Sequence, residues 1–212
     1  METPEDSTTD PARGSIFTEP ILVVNQKVKL IELTNEYAIF DGEARRIGAV
    51  RQVGQSSVRK VLRFFSSVDQ FLPVTLHVVD STGATQLVLT RPAKFLKSRL
   101  VVQDGAGRTI GEIQQRNVIG KIRFALVAEG TEVGSLNAEN WRAWNFNIQD
   151  VNGAEVARVT KTWEGLAKTM FTTADNYVVK IPTPLTEPLR SLVIAAAMAV
   201  DTALKQDSRG FG

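Results

Sequence analysis

The chain of 212 residues has a formal net charge of +2 and contains no cysteine, which excludes disulfides, thiolate metal sites, cysteine nucleophiles and palmitoyl anchors. An apolar fraction of 43% and a charged fraction of 23% are typical of an ordinary globular protein. The N-terminus is polar and acidic and lacks the apolar stretch of a signal peptide, so the expected location is the cytoplasm.

Residues 1–18 are predicted to form a disordered acidic tail. They are rich in Thr, Ser, Pro, Asp and Glu and have no large apolar residue before Ile16. Such a composition cannot bury enough apolar surface to offset the entropy lost on ordering. We therefore expect one domain over residues 19–205, followed by a short C-terminal tail over residues 206–212.

From residue 20 onward the chain repeats a unit of apolar strand, turn and apolar strand. The turns combine Asp or Glu with Gly, because Gly adopts positive φ freely and Asp hydrogen-bonds its own backbone. Six hairpins are predicted, over residues 21–25 with 28–33, 38–50, 77–89, 100–113, 126–136 and 146–159. About a dozen strands with closely spaced turns predict a mostly β protein with one antiparallel sheet, folded as a sandwich or a barrel.

Residues 57–65 interrupt the strands with the pattern of a short basic helix. Val58, Val61, Leu62 and Phe65 have helical spacing, and three basic side chains lie opposite them. This pattern is typical of a helix packed on the end of a barrel, and the alternative is a helix that lies on a membrane surface.

The C-terminal segment over residues 189–204 predicts an enclosed helix. Its centre, residues 192–200, is the longest apolar run in the chain, and a helix that is apolar on all sides must be buried. Arg190 and Asp201 bound a window well short of the roughly 20 residues that cross a bilayer. Because a closed barrel of twelve strands is too wide for its own side chains to fill, we predict that this helix occupies the barrel interior.

Enzymatic chemistry has little support in the sequence. His77 is the single histidine, it lies within a predicted strand, and no G-x-S-x-G nucleophile motif accompanies it. Ligation of a metal by His and Cys is excluded by their number, and the Gly105-Ala106-Gly107 stretch belongs to a hairpin. The sequence therefore predicts a protein that is not an enzyme, with no cofactor and no metal site.

Most of the chain from residue 20 to 205 resembles the phospholipid scramblase family. The matching motifs are the K-x-W-x-G of Lys161, Trp163 and Gly165, FTTADNY at 171–177, Arg91-Pro92, IGEI at 110–113 and the apolar helix that ends in Asp201. Two further stretches resemble a bacterial, scramblase-related branch, ENWRAWNF at 139–146 and RPAKFLKSR at 91–99. The family shares its fold with the tubby C-terminal domain and the LURP-one-related proteins, so the resemblance implies a twelve-stranded β-barrel around a C-terminal helix.

Two departures from the family bear on what the resemblance implies. Animal scramblases carry a palmitoylated, Cys-rich segment after the Arg-Pro, whereas AKFLKS follows here. In the calcium loop proposed for the family, Thr173 replaces the first acid, only Asp175 remains, and Pro184 stands where a later acid would be. Because calcium takes about six to eight oxygen ligands, this degenerate loop does not predict a calcium site.

A basic patch is the strongest functional signal in the sequence. Its bases alternate with apolar residues, a pattern that suits an anionic membrane surface at about 1 kcal/mol per charge. The resemblance to tubby-like domains, which bind phosphoinositide headgroups, implies the same surface. The predicted lipid-binding residues are Arg91, Lys94, Phe95, Lys97, Arg99, Arg116, Lys121 and Arg123. A solvated basic face is the alternative, and nucleic acid is not expected because aromatic residues do not alternate with these bases as stacking requires.

The sequence therefore predicts a scramblase-related, non-enzymatic domain that binds anionic lipid, peripherally and at the inner face of the cell membrane, without a transmembrane span. Phospholipid organisation or scrambling is the associated role. One alternative is a cytoplasmic scaffold or regulator that binds a protein partner, and another is an enzyme whose pocket the sequence does not reveal. Salt-sensitive binding to anionic lipid distinguishes the first class, and lipid-independent binding to a protein distinguishes the second.

Overall fold

The computed structural model describes residues 14–25, 36–53, 74–92, 99–117, 122–140, 145–161 and 176–207. Twelve strands and one helix lie within these ranges. The strands are β1 (Ile21–Asn25), β2 (Glu36–Phe40), β3 (Arg46–Val53), β4 (Val74–Asp80), β5 (Thr85–Arg91), β6 (Arg99–Asp104), β7 (Thr109–Gln115), β8 (Arg123–Ala128), β9 (Thr131–Asn140), β10 (Asn145–Asp150), β11 (Glu155–Thr160) and β12 (Asn176–Lys180). The helix is α1 (Leu189–Asp207).

The strands form a closed antiparallel barrel in which each strand from β1 to β12 pairs with the next. The last strand closes the barrel by pairing with the first, so that Val24 of β1 lies opposite Tyr177 of β12 and Ile39 of β2. Closure leaves the backbone hydrogen-bonding groups of both terminal strands paired. The predicted antiparallel barrel is confirmed.

Helix α1 fills the barrel, as the apolar run predicts. Every residue from Leu192 to Ala199 is at most 7% exposed, and the helix contacts β5, β7, β8 and β9. Alternate strand residues point at it, as do the fully buried Phe146 and Ile148 of β10. Burial of each large aliphatic side chain of the helix contributes roughly 1.5–3 kcal/mol, so the helix and the wall stabilise each other.

Four hairpin turns at one end of the barrel, which we call the turn end, share one construction. In each, Oδ1 of an aspartate accepts hydrogen bonds of 2.9–3.0 Å from the backbone N–H groups two and four residues later. The four aspartates are Asp41, Asp80, Asp104 and Asp150. A fifth hairpin, between β8 and β9, turns instead through Glu129 and Gly130, both at positive φ. Local side-chain chemistry therefore determines where the strands reverse.

The stability of these turns should depend on pH. The hydrogen bond from the Thr82 hydroxyl is the largest cause that lowers the pKa of Asp80 below its usual 3.8. The backbone N–H of Arg108 does the same for the pKa of Asp104. A folded-state pKa below the unfolded value gives stabilisation that is present above the unfolded pKa and is lost as the pH falls through the folded pKa. We therefore expect the free energy of unfolding to fall from about pH 4 downward.

Urea unfolding followed by circular dichroism between about pH 5 and about pH 2 measures this loss. The Asp80→Asn variant supplies the control, because an amide oxygen still accepts hydrogen bonds but does not titrate in this range. Its stability should depend less steeply on pH than that of the parent. A parent protein whose urea midpoint is unchanged across this range would contradict the prediction.

Five of the six predicted hairpins are confirmed, and they form the strand pairs from β2–β3 to β10–β11. The strand expected over residues 28–33 and the short helix expected over residues 57–65 lie outside the described residues. The strand that closes the barrel is β12, which the hairpin pattern did not identify because its partners are not joined to it by a tight turn.

The packed chain begins before residue 19. Ile16 is 1% exposed and belongs to the core, and the N–H of Gly14 donates a 3.0 Å hydrogen bond to Glu19 Oε1. The ring of Phe17 lies 5.5 Å from the guanidinium carbon of Arg190 at the start of α1. The expected disordered tail of residues 1–18 therefore overlaps a packed segment, because Ile16 and Phe17 supply enough apolar surface to hold it on the turn end.

Candidate functional site

The predicted lipid-binding residues that the structure describes come together at the end of the barrel opposite the turn end. Arg91 ends β5, Arg99 begins β6, Arg116 follows β7 and Arg123 begins β8. The other four predicted residues lie outside the described ranges, and they are Lys94, Phe95, Lys97 and Lys121. The connections that carry these four residues join the ends of the same four strands.

Strand register makes the described arginines neighbours. Thr90 of β5 lies opposite Val101 of β6, and Arg99 lies opposite Gln114 of β7. The N–H of Arg116 donates a 2.9 Å hydrogen bond to the carbonyl oxygen of Arg123. Four positions that are separated in sequence thus occupy consecutive strands of one wall, as a β-meander requires.

Arg91 differs from the other three because its side chain is not on the outer surface. It is 5% exposed and follows the alternation of Leu87 and Leu89, which face the barrel interior. The sequence prediction groups Arg91 with the other bases because it is close to them in sequence. Its side chain is on the inward face of β5 and is therefore not part of the exposed surface. We use the name basic rim for the three exposed arginines, Arg99, Arg116 and Arg123.

Each arginine of the basic rim is paired with a glutamate one or two strands away. Arg99 forms a salt bridge with Glu112, and this hydrogen bond is the largest cause that lowers the pKa of Glu112 and raises that of Arg99. Nη2 of Arg116 and Nη2 of Arg123 share the two carboxylate oxygens of Glu132, at 3.1 Å and 3.0 Å. Three arginines and two glutamates leave one positive charge uncompensated among these five side chains.

These ion pairs are weak, so the arginines can exchange their glutamate partners for other anions. The side chains of Arg99, Arg116 and Arg123 are 56%, 45% and 53% exposed, and exposed pairs of this kind are worth about 0–1 kcal/mol. A guanidinium group also binds phosphate through two parallel N–H donors. The basic rim can therefore exchange a carboxylate for a phosphate at small cost.

A similar arrangement on another wall provides a comparison. Glu36 of β2 bonds both Arg46 and Arg51 of β3, so that two arginines again share one carboxylate. A third group of ion pairs has an excess of acid instead, because the single Arg158 contacts two glutamates, Glu139 and Glu155. What distinguishes the basic rim is its position beside the connections that carry the predicted lysines, rather than its ion pairing.

Sequence reasoning missed a second feature, a cavity at the turn end beside the start of α1. Two sequence signals mark it in retrospect. Ser191 places a hydroxyl at the beginning of an otherwise apolar helix run, and Glu129 occupies a turn position that usually takes Asn, Asp or Gly. No helix within the described residues has the length and apolarity that a membrane crossing requires.

A family model described as Scramblase matches residues 4–204 of the chain. Among its relatives, the Altered inheritance rate of mitochondria protein 25 of Saccharomyces cerevisiae is 24% identical over 91% of this chain and 72% of its own length. A phospholipid scramblase family protein of Schizosaccharomyces pombe is 23% identical over 78% of this chain and 47% of its own length. Phospholipid scramblase 2 of Bos taurus is 20% identical over 89% of this chain and 69% of its own length. No solved protein structure matches the chain.

The comparisons confirm the family resemblance over most of the chain and correct one detail of it. The relatives named above come from two yeasts and from cattle, so the expected bacterial branch is not borne out. The two stretches that suggested it, at 91–99 and 139–146, are short, and short stretches do not distinguish branches of one family.

Proposed function

This chain belongs to the scramblase family, and we propose that it binds the surface of membranes that contain anionic phospholipid, through the basic rim and the adjoining connections. Support for the proposal comes from one observation above all, the convergence of Arg99, Arg116 and Arg123 on neighbouring strands at one end of the barrel. Their exposed guanidinium groups are weakly held, and the flanking connections add Lys94 and Lys97 in sequence.

The proposed binding is electrostatic. Lipid phosphate would replace Glu132 as the partner of Arg116 and Arg123, while basic side chains near an anionic surface each contribute about 1 kcal/mol. Phe95 lies between the two lysines in sequence and would add apolar contact. Because the attraction falls off within about one Debye length, roughly 8 Å at physiological salt, binding should weaken as salt rises. No catalytic group takes part in this proposal.

Charge reversal of the two lysines tests the proposed surface. We expect Lys94→Glu combined with Lys97→Glu to abolish sedimentation with vesicles of phosphatidylcholine and phosphatidylserine, because four units of positive charge are lost beside the basic rim. The parent should sediment with these vesicles at low salt, sediment less at physiological salt, and stay in solution with phosphatidylcholine alone. If the double variant sediments as the parent does, Lys94 and Lys97 are not part of the membrane-binding surface.

A matched pair of double variants separates local charge from net charge. Arg116→Gln with Arg123→Gln should reduce sedimentation clearly, whereas Arg46→Gln with Arg51→Gln removes the same charge elsewhere and should have little effect. Each pair of arginines shares one glutamate, so each double variant removes the ion pairs to a single carboxylate. Equal losses would mean that overall charge alone governs binding. Failure of the parent to sediment under any condition would favour a protein partner instead.

The membrane that the protein meets is a separate part of the proposal. We propose a peripheral location at the inner face of the cell membrane. The name of the Saccharomyces cerevisiae relative refers to mitochondria, which makes a mitochondrial membrane the second candidate. Fractionation of cells into plasma membrane and mitochondria, with the protein followed by antibody, distinguishes the two locations.

A further inference from the structure

The cavity at the turn end has the size of a ligand site. Its volume is about 930 Å³, and small-molecule sites commonly range from about 300 to 1,000 Å³. It lies between the start of α1 and the three hairpins that join β4 to β5, β6 to β7 and β8 to β9. The basic rim is at the other end of the barrel, so this cavity is separate from the proposed lipid surface.

Ser191 presents its hydroxyl to this cavity. The residue is 3% exposed and lines the cavity in the first turn of α1. Its backbone N–H donates to Glu187 Oε2 at 3.3 Å, but its hydroxyl is not hydrogen-bonded to any residue in the part of the chain that the structure describes. The hydroxyl oxygen is therefore accessible from the cavity, and a molecule that hydrogen-bonds it gains affinity.

The charges around the cavity favour a cation. Asp104 is paired with Arg108, and Glu187 is paired with Arg190. Glu129 is exposed and has no ion pair or hydrogen bond within the described residues, so it leaves one negative charge at the cavity. A helix N-terminus ordinarily attracts anions, but here the carboxylate of Glu187 already occupies a free N–H of the first turn.

Apolar side chains supply the remaining wall. Leu87 is 1% exposed, and Ile110, Val133 and Phe17 are partly buried in contact with the core. These side chains line the same cavity as Ser191 and the carboxylates, so the site has an apolar part and a polar, acidic part. That combination matches a molecule with a cationic head and an apolar body.

We propose that the cavity binds a small amphiphilic primary amine. The ammonium group donates a hydrogen bond to the Ser191 hydroxyl and is attracted by Glu129, and the apolar body lies against Leu87, Ile110 and Val133. A primary amine suits the site better than a quaternary one, because a primary ammonium group has N–H donors for the Ser191 hydroxyl oxygen and a quaternary ammonium group has none. The inference does not depend on the basic rim.

Three probes with the same eight-carbon chain test the charge preference. We expect n-octylammonium, kept below the concentration at which it forms micelles, to bind with one molecule per protein in calorimetry. Octan-1-ol, which carries no charge, and n-octyl sulfate, which Glu129 repels, should both bind at least about ten-fold more weakly. Equal or tighter binding of n-octyl sulfate, or no binding of n-octylammonium, would overturn the proposal.

Two substitutions and a control locate the binding. Ser191→Ala should weaken n-octylammonium binding about ten-fold, and Glu129→Gln should weaken it roughly three-fold and reduce its dependence on salt. Glu43→Gln is the control, because Glu43 is an exposed turn carboxylate at the same end that does not line the cavity. Its affinity should equal that of the parent.

Stability of the ligand-free protein provides a readout that does not involve the probe. Ser191→Ala removes a cavity-facing hydroxyl that no described residue bonds and introduces a better helix former, so its Tm should equal or exceed that of the parent. Backbone amide shifts on addition of n-octylammonium should be confined to the cavity walls, with Thr131 and Thr109 among those that move. Parent-like affinity in both cavity variants, or shifts centred on the basic rim, would contradict the assignment.

Discussion

Replacing Ala196 with aspartate should unfold the barrel. Ala196 is 2% exposed and lies on the enclosed helix, where the residues on both sides of it, Ala195 and Ala197, are fully buried. The alanines let the helix fit inside the wall, so the new carboxylate would have neither space nor a partner. Burial of an unpaired polar or charged group of this kind belongs to the few substitutions that cost about 4–5 kcal/mol or more. Because a domain is typically stable by only about 5–15 kcal/mol, we expect loss of the cooperative melting transition near neutral pH.

Two controls separate charge from shape. Val151→Asp introduces the same side chain at a turn position that is 65% exposed, and its Tm should stay within about two degrees of the parent. Ala196→Asn keeps the shape of aspartate without its charge and should be less destabilising at pH 7. Burial raises the pKa of the new carboxyl, so the Ala196→Asp protein should recover some stability as the pH falls toward about 5. Unchanged melting of Ala196→Asp at pH 7 would contradict the enclosed helix.

The parts of the fold that local chemistry specifies could be predicted from the sequence. Each Asp-to-Gly turn is determined within five residues, as in the hairpin from Asp80 to Ala84, where Oδ1 of Asp80 bonds two N–H groups. The helix is likewise visible in one contiguous apolar run, from Leu192 to Ala199. In both cases the sequence neighbours are also the structural neighbours.

The parts that depend on distant partners could not be predicted in this way. Strand β12 is five residues long and is held in the sheet by pairing with β1 and β11. Neither of these strands is joined to β12 by a tight turn. Ile16 looked like the end of a disordered tail because nothing near it shows that it packs in the core. Register and closure decide these positions, and a single sequence does not display either of them.

The candidate site shows the same division. Adjacent hairpins predict that bases at strand ends meet, and Arg99, Arg116 and Arg123 do so. The inward direction of Arg91 depends on the alternation of β5, which begins from a bulge between β4 and β5. The sharing of Glu132 depends on cross-strand register. The cavity forms where the start of α1 meets three hairpins, and no local sequence motif predicts that contact.

Adding one methyl group at Gly111 should also destabilise the barrel, by less than the charge at Ala196. A Cβ at this position would lie 2.3 Å from the carbonyl oxygen of Val127 on β8 and 3.3 Å from Cδ1 of Leu192 on the helix. The first contact is with backbone, which cannot rotate away, and it lies where the β7–β8 and β8–β9 pairings meet a bulge at Val127. The glycine therefore lets the wall approach both its neighbouring strand and the enclosed helix.

We expect Gly111→Ala to lower the free energy of unfolding by about 3 kcal/mol, at the upper end of what overpacking costs in a core. Chemical unfolding in urea measures it. Gly107 provides the contrast, because a Cβ there meets nothing within 4 Å and only the positive φ of 84° restricts the residue. Asparagine tolerates that backbone conformation, so Gly107→Asn should cost less than about 1 kcal/mol, whereas Gly111→Asn should cost at least as much as Gly111→Ala. A Gly111→Ala protein as stable as the parent would mean that β7 can move away from Val127 and from the helix, and that the barrel is not held at this distance by the glycine.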